Sequence, residues 1–145
     1  MNLTNYIKVY KNVVSDSFCD KMIQKFEDNP KQYHYQKRAN PVRNFKMSFN
    51  QIHIHKEINW KEETIDVVYK IIGLQPNGNE FFSPHVDVTN YGNANRFLVF
   101  FLYLDNNSAG QTSFPQLDIG SNCVKGSLLM FPPMWPWLHA GEPPI

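Results

Sequence analysis

His85-Val86-Asp87 and the distant His139 are the residues whose types and spacing could do chemistry in this sequence. In a strand, successive side chains alternate between faces, so residues two apart point the same way. His85 and Asp87 would then project together from one face, with Val86 turned into the opposite layer. Two imidazoles and one carboxylate gathered on one side of a metal form a donor set that holds Fe(II) and leaves its other positions open. A bare His-x-Asp arises by chance in many proteins, and standing alone it is more simply two solvated residues on a surface strand. Its context has to decide. His53 and His55 form a second same-face pair, but they run into Lys56-Glu57 without a carboxylate at matching spacing. They read as an exposed strand end.

The elements that must position these groups can be read in chain order. Tyr6 to Tyr10 alternates and predicts an opening strand. Ser15 or Asp16 caps a helix over Phe18 to Asp28, with Phe18, Met22, Ile23 and Phe26 as a core-packing stripe and Asn29-Pro30 as its stop. Residues 31–44 are polar, with Lys37, Arg38 and Arg43 close together, and read as a solvated loop with a substrate-facing loop as the alternative. Phe45 to His55 predicts a strand, Trp60 to Asp66 a short helix, and Val67 to Gln75 a strand on its β-branched content. Pro76-Asn77-Gly78-Asn79 is a turn, which makes the His85 stretch the return arm of a hairpin.

After the polar loop 88–95 and Arg96, Phe97 to Leu104 is a continuous apolar run of strand length, expected to be buried on both faces. Asp105 to Gly110 reads as a turn, Gln111 to Phe114 as a short strand and Asp118 to Cys123 as another turn. Lys125-Gly126 makes a corner, and Ser127 to Phe131 is a buried strand. The rigid, aromatic Pro132 to Trp137 then delivers Leu138-His139-Ala140-Gly141. Many short strands with one early helix predict a mainly β protein, an antiparallel two-sheet roll.

Composition narrows the function classes. The 145 residues suit one domain, 1–66 supporting a roll built from 67–145. A formal charge of +1 and no run of Lys or Arg leave no footprint for nucleic acid or an anionic membrane. Cys19 and Cys123 do not make a disulfide framework and suggest free thiols in a reducing compartment. The N-terminus lacks a basic region followed by an apolar one, and no apolar run reaches bilayer length. A cytoplasmic protein is the expectation.

The order His85-x-Asp87, Arg96, Tyr103-Leu104, Gly110-Gln111-Thr112-Ser113-Phe114-Pro115, Lys125 to Phe131 and Leu138-His139-Ala140-Gly141 resembles the 2-oxoglutarate- and Fe(II)-dependent oxygenases. The prolyl-4-hydroxylase-like branch is the nearest within them. The similarity covers roughly residues 70 to 145, with a less specific match in the opening strand and helix. It implies a double-stranded β-helix, or jelly-roll, whose mouth holds iron through His85, Asp87 and His139. It implies oxidative decarboxylation of 2-oxoglutarate coupled to hydroxylation of a prolyl, peptidyl or small-molecule C–H bond, with ascorbate as an accessory reductant. Tyr103 matches a position that hydrogen-bonds the distal carboxylate of 2-oxoglutarate. The Lys or Arg that pairs with that carboxylate normally follows the distal His on the last strand, and here it is expected beyond Ile145, with that strand absent or truncated. Arg96 is the alternative cation, although in the family layout it lies outside the inner pocket.

Two further readings compete with the enzyme. One is a jelly-roll module that keeps the metal site and has lost turnover with the missing cation. The other is a cupin-type metal protein, which would need the His53-x-His55 pair to join a downstream Glu that the spacing does not supply. Substrate choice would rest with loops at the mouth, residues 31–44 and 88–95, and fold-level analogy does not carry it.

Overall fold

Ser15 sets the N-terminus of helix α1 (Asp16–Glu27) by accepting a hydrogen bond from the Phe18 N–H, as a serine cap should. The computed structural model describes residues 2–40, 45–52, 71–73 and 80–145. Cys19, Met22 and Phe26 form the buried face of α1, and Phe18, Tyr33 and Leu104 pack around the latter two. The chain leaves the helix at Asn29, and Pro30–Gln32 forms a 3₁₀ turn, as the proline stop predicts.

The described residues form ten strands: β1 (Lys8–Tyr10), β2 (His34–Asn40), β3 (Phe45–Ile52), β4 (Ile71–Gly73), β5 (Phe82–His85), β6 (Val99–Leu102), β7 (Asn107–Phe114), β8 (Ile119–Cys123), β9 (Leu128–Phe131) and β10 (His139–Gly141). All recorded pairings are antiparallel. The small sheet runs β1-β9-β6, and the large one β2-β3-β5-β10-β7-β8, with β4 also paired to β3. Phe114 on the large sheet meets Leu129 and Phe131 on the small one, all three fully buried, with Ile7, Val99, Phe101, Tyr103 and Leu117 around them. Phe131 takes edge-on contacts from Phe101 and Phe114 at 5.4 and 5.0 Å between ring centres.

The predicted Lys125-Gly126 corner is where the N-terminal lead-in docks. Gly126 has φ +73°, and a Cβ there would stand 2.9 Å from the Val14 carbonyl oxygen. The Val13 N–H donates to the Gly126 carbonyl at 2.9 Å, and Lys125 pairs with Asp20 of α1. Glycine is required twice over, for the left-handed backbone and for the close approach.

The structure corrects several expectations. Residues 34–40, expected in a loop, form β2, and residues 119–123, expected as a turn, form β8 after a turn at Pro115–Asp118. These two strands are the outer edges of the large sheet, where polar side chains are tolerated because the ladder supplies the stabilisation. β7 begins at Asn107, inside the expected turn. Among the described residues β5 does not pair with β4; both lie along β3, and β5 pairs with β10 in the same sheet. The Phe97 to Leu104 strand is shorter and has only one buried face, for Phe100 on β6 is 58% exposed and Phe97 before it 73%. β6 is the edge strand of the three-stranded sheet, Val99 and Phe101 pack on the core that includes Phe114 of the large sheet, and nothing among the described residues encloses the Phe100 side as expected. His53, His55, Arg43, the 60–66 helix and the 76–79 turn lie outside the described residues.

Candidate metal centre

Three chain segments bring His85, Asp87 and His139 together. β5 ends at His85, and β10 begins at His139 directly opposite it in the antiparallel register. The rings of the two histidines stand 4.5 Å apart. Asp87 lies just past the end of β5, in a bend and not in the strand itself, so simple alternation does not place it. Its N–H and that of Val88 donate to the Pro133 carbonyl, at 2.8 and 3.2 Å, which ties the loop after His85 to the loop before His139. Asp87 Oδ1 consequently stands 3.4 Å from His85 Nε2 and 3.9 Å from His139 Nε2.

The second nitrogen of each ring fixes its tautomer. His85 Nδ1 lies 2.8 Å from the Ser83 carbonyl oxygen, and His139 Nδ1 lies 3.2 Å from that of Trp137. A carbonyl only accepts, so both Nδ1 atoms carry a hydrogen and both Nε2 atoms turn a lone pair toward Asp87. Backbone carbonyls behind metal-ligating histidines orient rings in this way. Trp137 is itself braced, since its indole N–H donates to the Leu3 carbonyl at 3.1 Å and its ring meets Tyr6 edge-on at 5.4 Å.

The electrostatics suit a cation. His139 is buried against Phe101, Phe114 and Phe131. Burial, together with the His85 ring beside it, pushes the His139 imidazole down to about 4 from 6.5. Burial works to raise the Asp87 carboxyl, but its contact with His85, the charges that His139 and His85 carry when protonated, and the Arg96 charge outweigh it and hold the carboxyl below its ordinary value. A neutral imidazole and an ionised carboxylate are the forms a metal needs. His139 Nε2 is enclosed and has no hydrogen-bond partner. An acceptor left bare in this way costs about 1–3 kcal/mol, and a cation in front of it would remove the cost. The ligand atoms of His85, Asp87 and His139 lie within 4.8 Å of one another and could hold one metal ion. The donor set is the mixed imidazole and carboxylate type suited to Fe(II) with open positions.

Tyr103 lies deeper in the roll, where its hydroxyl donates to Thr112 Oγ1 at 2.8 Å. Burial raises the phenol, while the Thr112 and Ser121 hydroxyls pull it back. Ser121 Oγ is enclosed and lacks a properly directed hydrogen bond. Thr112 and Ser121 sit opposite each other in the β7–β8 register, and neither is among the expected site residues. Their signal was the alternation in Gln111-Thr112-Ser113-Phe114, which puts Thr112 on the same inner face as Phe114. Arg96 is exposed and acts on Asp87 only through its field. Lys37 and Arg38 belong to β2 and not to a mouth loop.

No family model and no curated protein matches the sequence. Solved structures do match. The viral collagen prolyl hydroxylase of Paramecium bursaria Chlorella virus-1, in its 2-oxoglutarate complex, superposes with a TM-score of 0.60 at 16% identity, covering 96% of this chain and 88% of that one. A truncated form of the same enzyme gives 0.61 at 19% identity, covering 96% and 83%. A Pseudomonas putida prolyl-4-hydroxylase gives 0.61 at 11% identity, covering 96% and 85%. At such identities the likeness speaks for the fold: the chain carries the jelly-roll of the prolyl-4-hydroxylase-like 2-oxoglutarate oxygenases, with a His-Asp-His cluster that could hold a metal.

Proposed function

We propose that this chain is an Fe(II)- and 2-oxoglutarate-dependent oxygenase of the prolyl-hydroxylase-like kind. It would hydroxylate a prolyl, other peptidyl or small-molecule C–H bond, with release of succinate and CO2. The observation that carries the reading is the buried, partnerless His139 Nε2 aimed at the same point as His85 Nε2 and Asp87 Oδ1. In this reading His85, Asp87 and His139 are the ligands. Iron, when bound, supplies the activation of oxygen that decarboxylates 2-oxoglutarate and oxidises the C–H bond.

The chain's own residues bind, orient and exclude water. The Ser83 and Trp137 carbonyls keep the proton on each Nδ1, so the two lone pairs stay committed to the metal side. The Asp87 carboxylate would offset part of the charge of a bound ion. Tyr103, Thr112 and Ser121 offer hydroxyls to the distal carboxylate of 2-oxoglutarate. Phe101, Phe114 and Phe131 back His139 with an apolar wall that keeps bulk water from the ligand. Two unpaired thiols, Cys19 and Cys123, suit a cytoplasmic setting.

One observation favours a second reading, a metal-binding jelly-roll without turnover. Every Lys and Arg whose burial is described is at least partly exposed, and the groups beside Tyr103 within the roll are the hydroxyls of Thr112 and Ser121. Succinate formation from 2-oxoglutarate with Fe(II) and ascorbate separates the two. Turnover in the parent that disappears in His85→Ala supports the oxygenase. Fe(II) binding without turnover in the parent supports the binding module.

A further inference from the structure

We propose that Asn93 is the positioning residue for Asp87, holding the carboxylate in line with the two imidazoles where no strand does. The inference rests on the metal reading above. β5 stops at His85, so the backbone of Asp87 has no ladder partner and must be satisfied by its surroundings. Its N–H goes to the Pro133 carbonyl at 2.8 Å, and its own carbonyl accepts from Asn93 Nδ2 at 2.7 Å. The other end of that carboxamide, Oδ1, accepts from the Thr89 and Asn90 N–H groups at 3.0 and 3.1 Å. One half-buried side chain therefore joins three backbone groups and closes the loop from Asp87 to Asn93. Asn93 is fixed in turn by the 3₁₀ turn Tyr91–Asn93, and its carbonyl accepts from the Arg96 N–H at 3.2 Å.

The residue type is what makes this work. A carboxamide presents donor and acceptor on one short planar stem, whereas a carboxylate only accepts and an alanine does neither. The two bonds to Oδ1 are enough to form the turn. The bond from Nδ2 to Asp87 is not needed for the turn, and its effect falls on the ligand. With the N–H pinned by Pro133 and the carbonyl by Asn93, the Asp87 peptide is held on both sides, which limits the arc its carboxylate can sweep. Groups that support a ligand in this way are worth roughly 10–100-fold in metal affinity.

The test is a titration of the full chain, Asn93→Asp and Asn93→Ala with Co(II), followed by its visible bands, with apo thermal unfolding alongside. Asn93→Asp keeps the acceptors for Thr89 and Asn90, loses the donor to Asp87, and adds a negative charge that alone would tighten cation binding. Weakening by roughly 10–100-fold with altered band intensity, and an apo unfolding midpoint near the parent's, is the expected result for Asn93→Asp. Asn93→Ala should weaken binding similarly; if it does not fold, Asn93→Asp decides. Co(II) binding by Asn93→Asp that is tighter than the parent's, or within twofold of it with unchanged bands, overturns the inference alone. A parent that binds no Co(II) overturns the metal reading and this inference with it.

Discussion

His139 and Asp87 reach the same point from opposite kinds of support. His139 opens a strand that is paired on both edges, to β5 and to β7, and its side chain is 2% exposed behind three phenylalanines. Asp87 sits in a loop, its side chain 26% exposed, and is held by hydrogen bonds from single residues. The difference teaches a division of labour. The strand-borne histidine is part of the core, so disturbing it should disturb folding; the loop-borne carboxylate should be replaceable with little effect on the fold and, on the proposed reading, a large one on metal binding.

The largest stability effect is therefore expected on the strand side. Phe131→Ala removes a fully buried ring that meets Phe101, Phe114 and His139, and should cost about 3–5 kcal/mol in chemical denaturation. A loss below about 1 kcal/mol would mean that this core does not support His139. Gly126→Ala comes next, at about 1–3 kcal/mol, because it places a side chain in the left-handed region and against the Val14 carbonyl. Trp137→Phe removes a single hydrogen bond to Leu3 and should cost about 1 kcal/mol by the same measurement. Asp87→Ala should have the smallest effect on the apo fold, leaving the unfolding midpoint close to the parent's. A large drop for Asp87→Ala would break the comparison.

Acid should expose the strand-borne ligand in the same way. The folded protein holds the His139 imidazole down to about 4, while the unfolded chain returns it to 6.5. Between those values the unfolded state binds more protons, so stability rises with pH across the window. His139 thus contributes its full share above about pH 6.5, and that share is lost as the pH falls toward 4. Asp87, with its carboxyl held low, acts in the same direction further down. Unfolding midpoints measured from pH 7 to 4 should fall, and replacing His139 with a residue that does not titrate should flatten the slope.

The same contrast explains what was legible in the sequence. His85, Asp87 and His139 were readable because donor chemistry is written in residue type, and the structure gathers all three. The helix was readable through Ser15, its apolar stripe and Pro30, and the Gly126 corner through its residue type. β2 and β8 were not, because an edge strand takes its order from a neighbour and needs no apolar alternation of its own. The β5–β10 pairing joins residues far apart in sequence, and a nearby turn signal pointed instead to a local hairpin. Asp87 was placed correctly for an incomplete reason: alternation ends at His85, and the loop bonds to Pro133 and Asn93 do the rest. Thr112 lies within the Gly110 to Pro115 segment, which does not single it out, and Ser121 emerges only from its register with Thr112.

Anaerobic binding of Fe(II) to the parent, His85→Ala and Asp87→Ala tests the central claim most directly. One Fe(II) per parent chain is expected, with affinity falling by more than ~100-fold in each variant, since loss of a ligand should exceed the loss of a supporting group. Parent and variants that bind Fe(II) alike, or a parent that takes up none, would contradict the claim that these three side chains form one metal site.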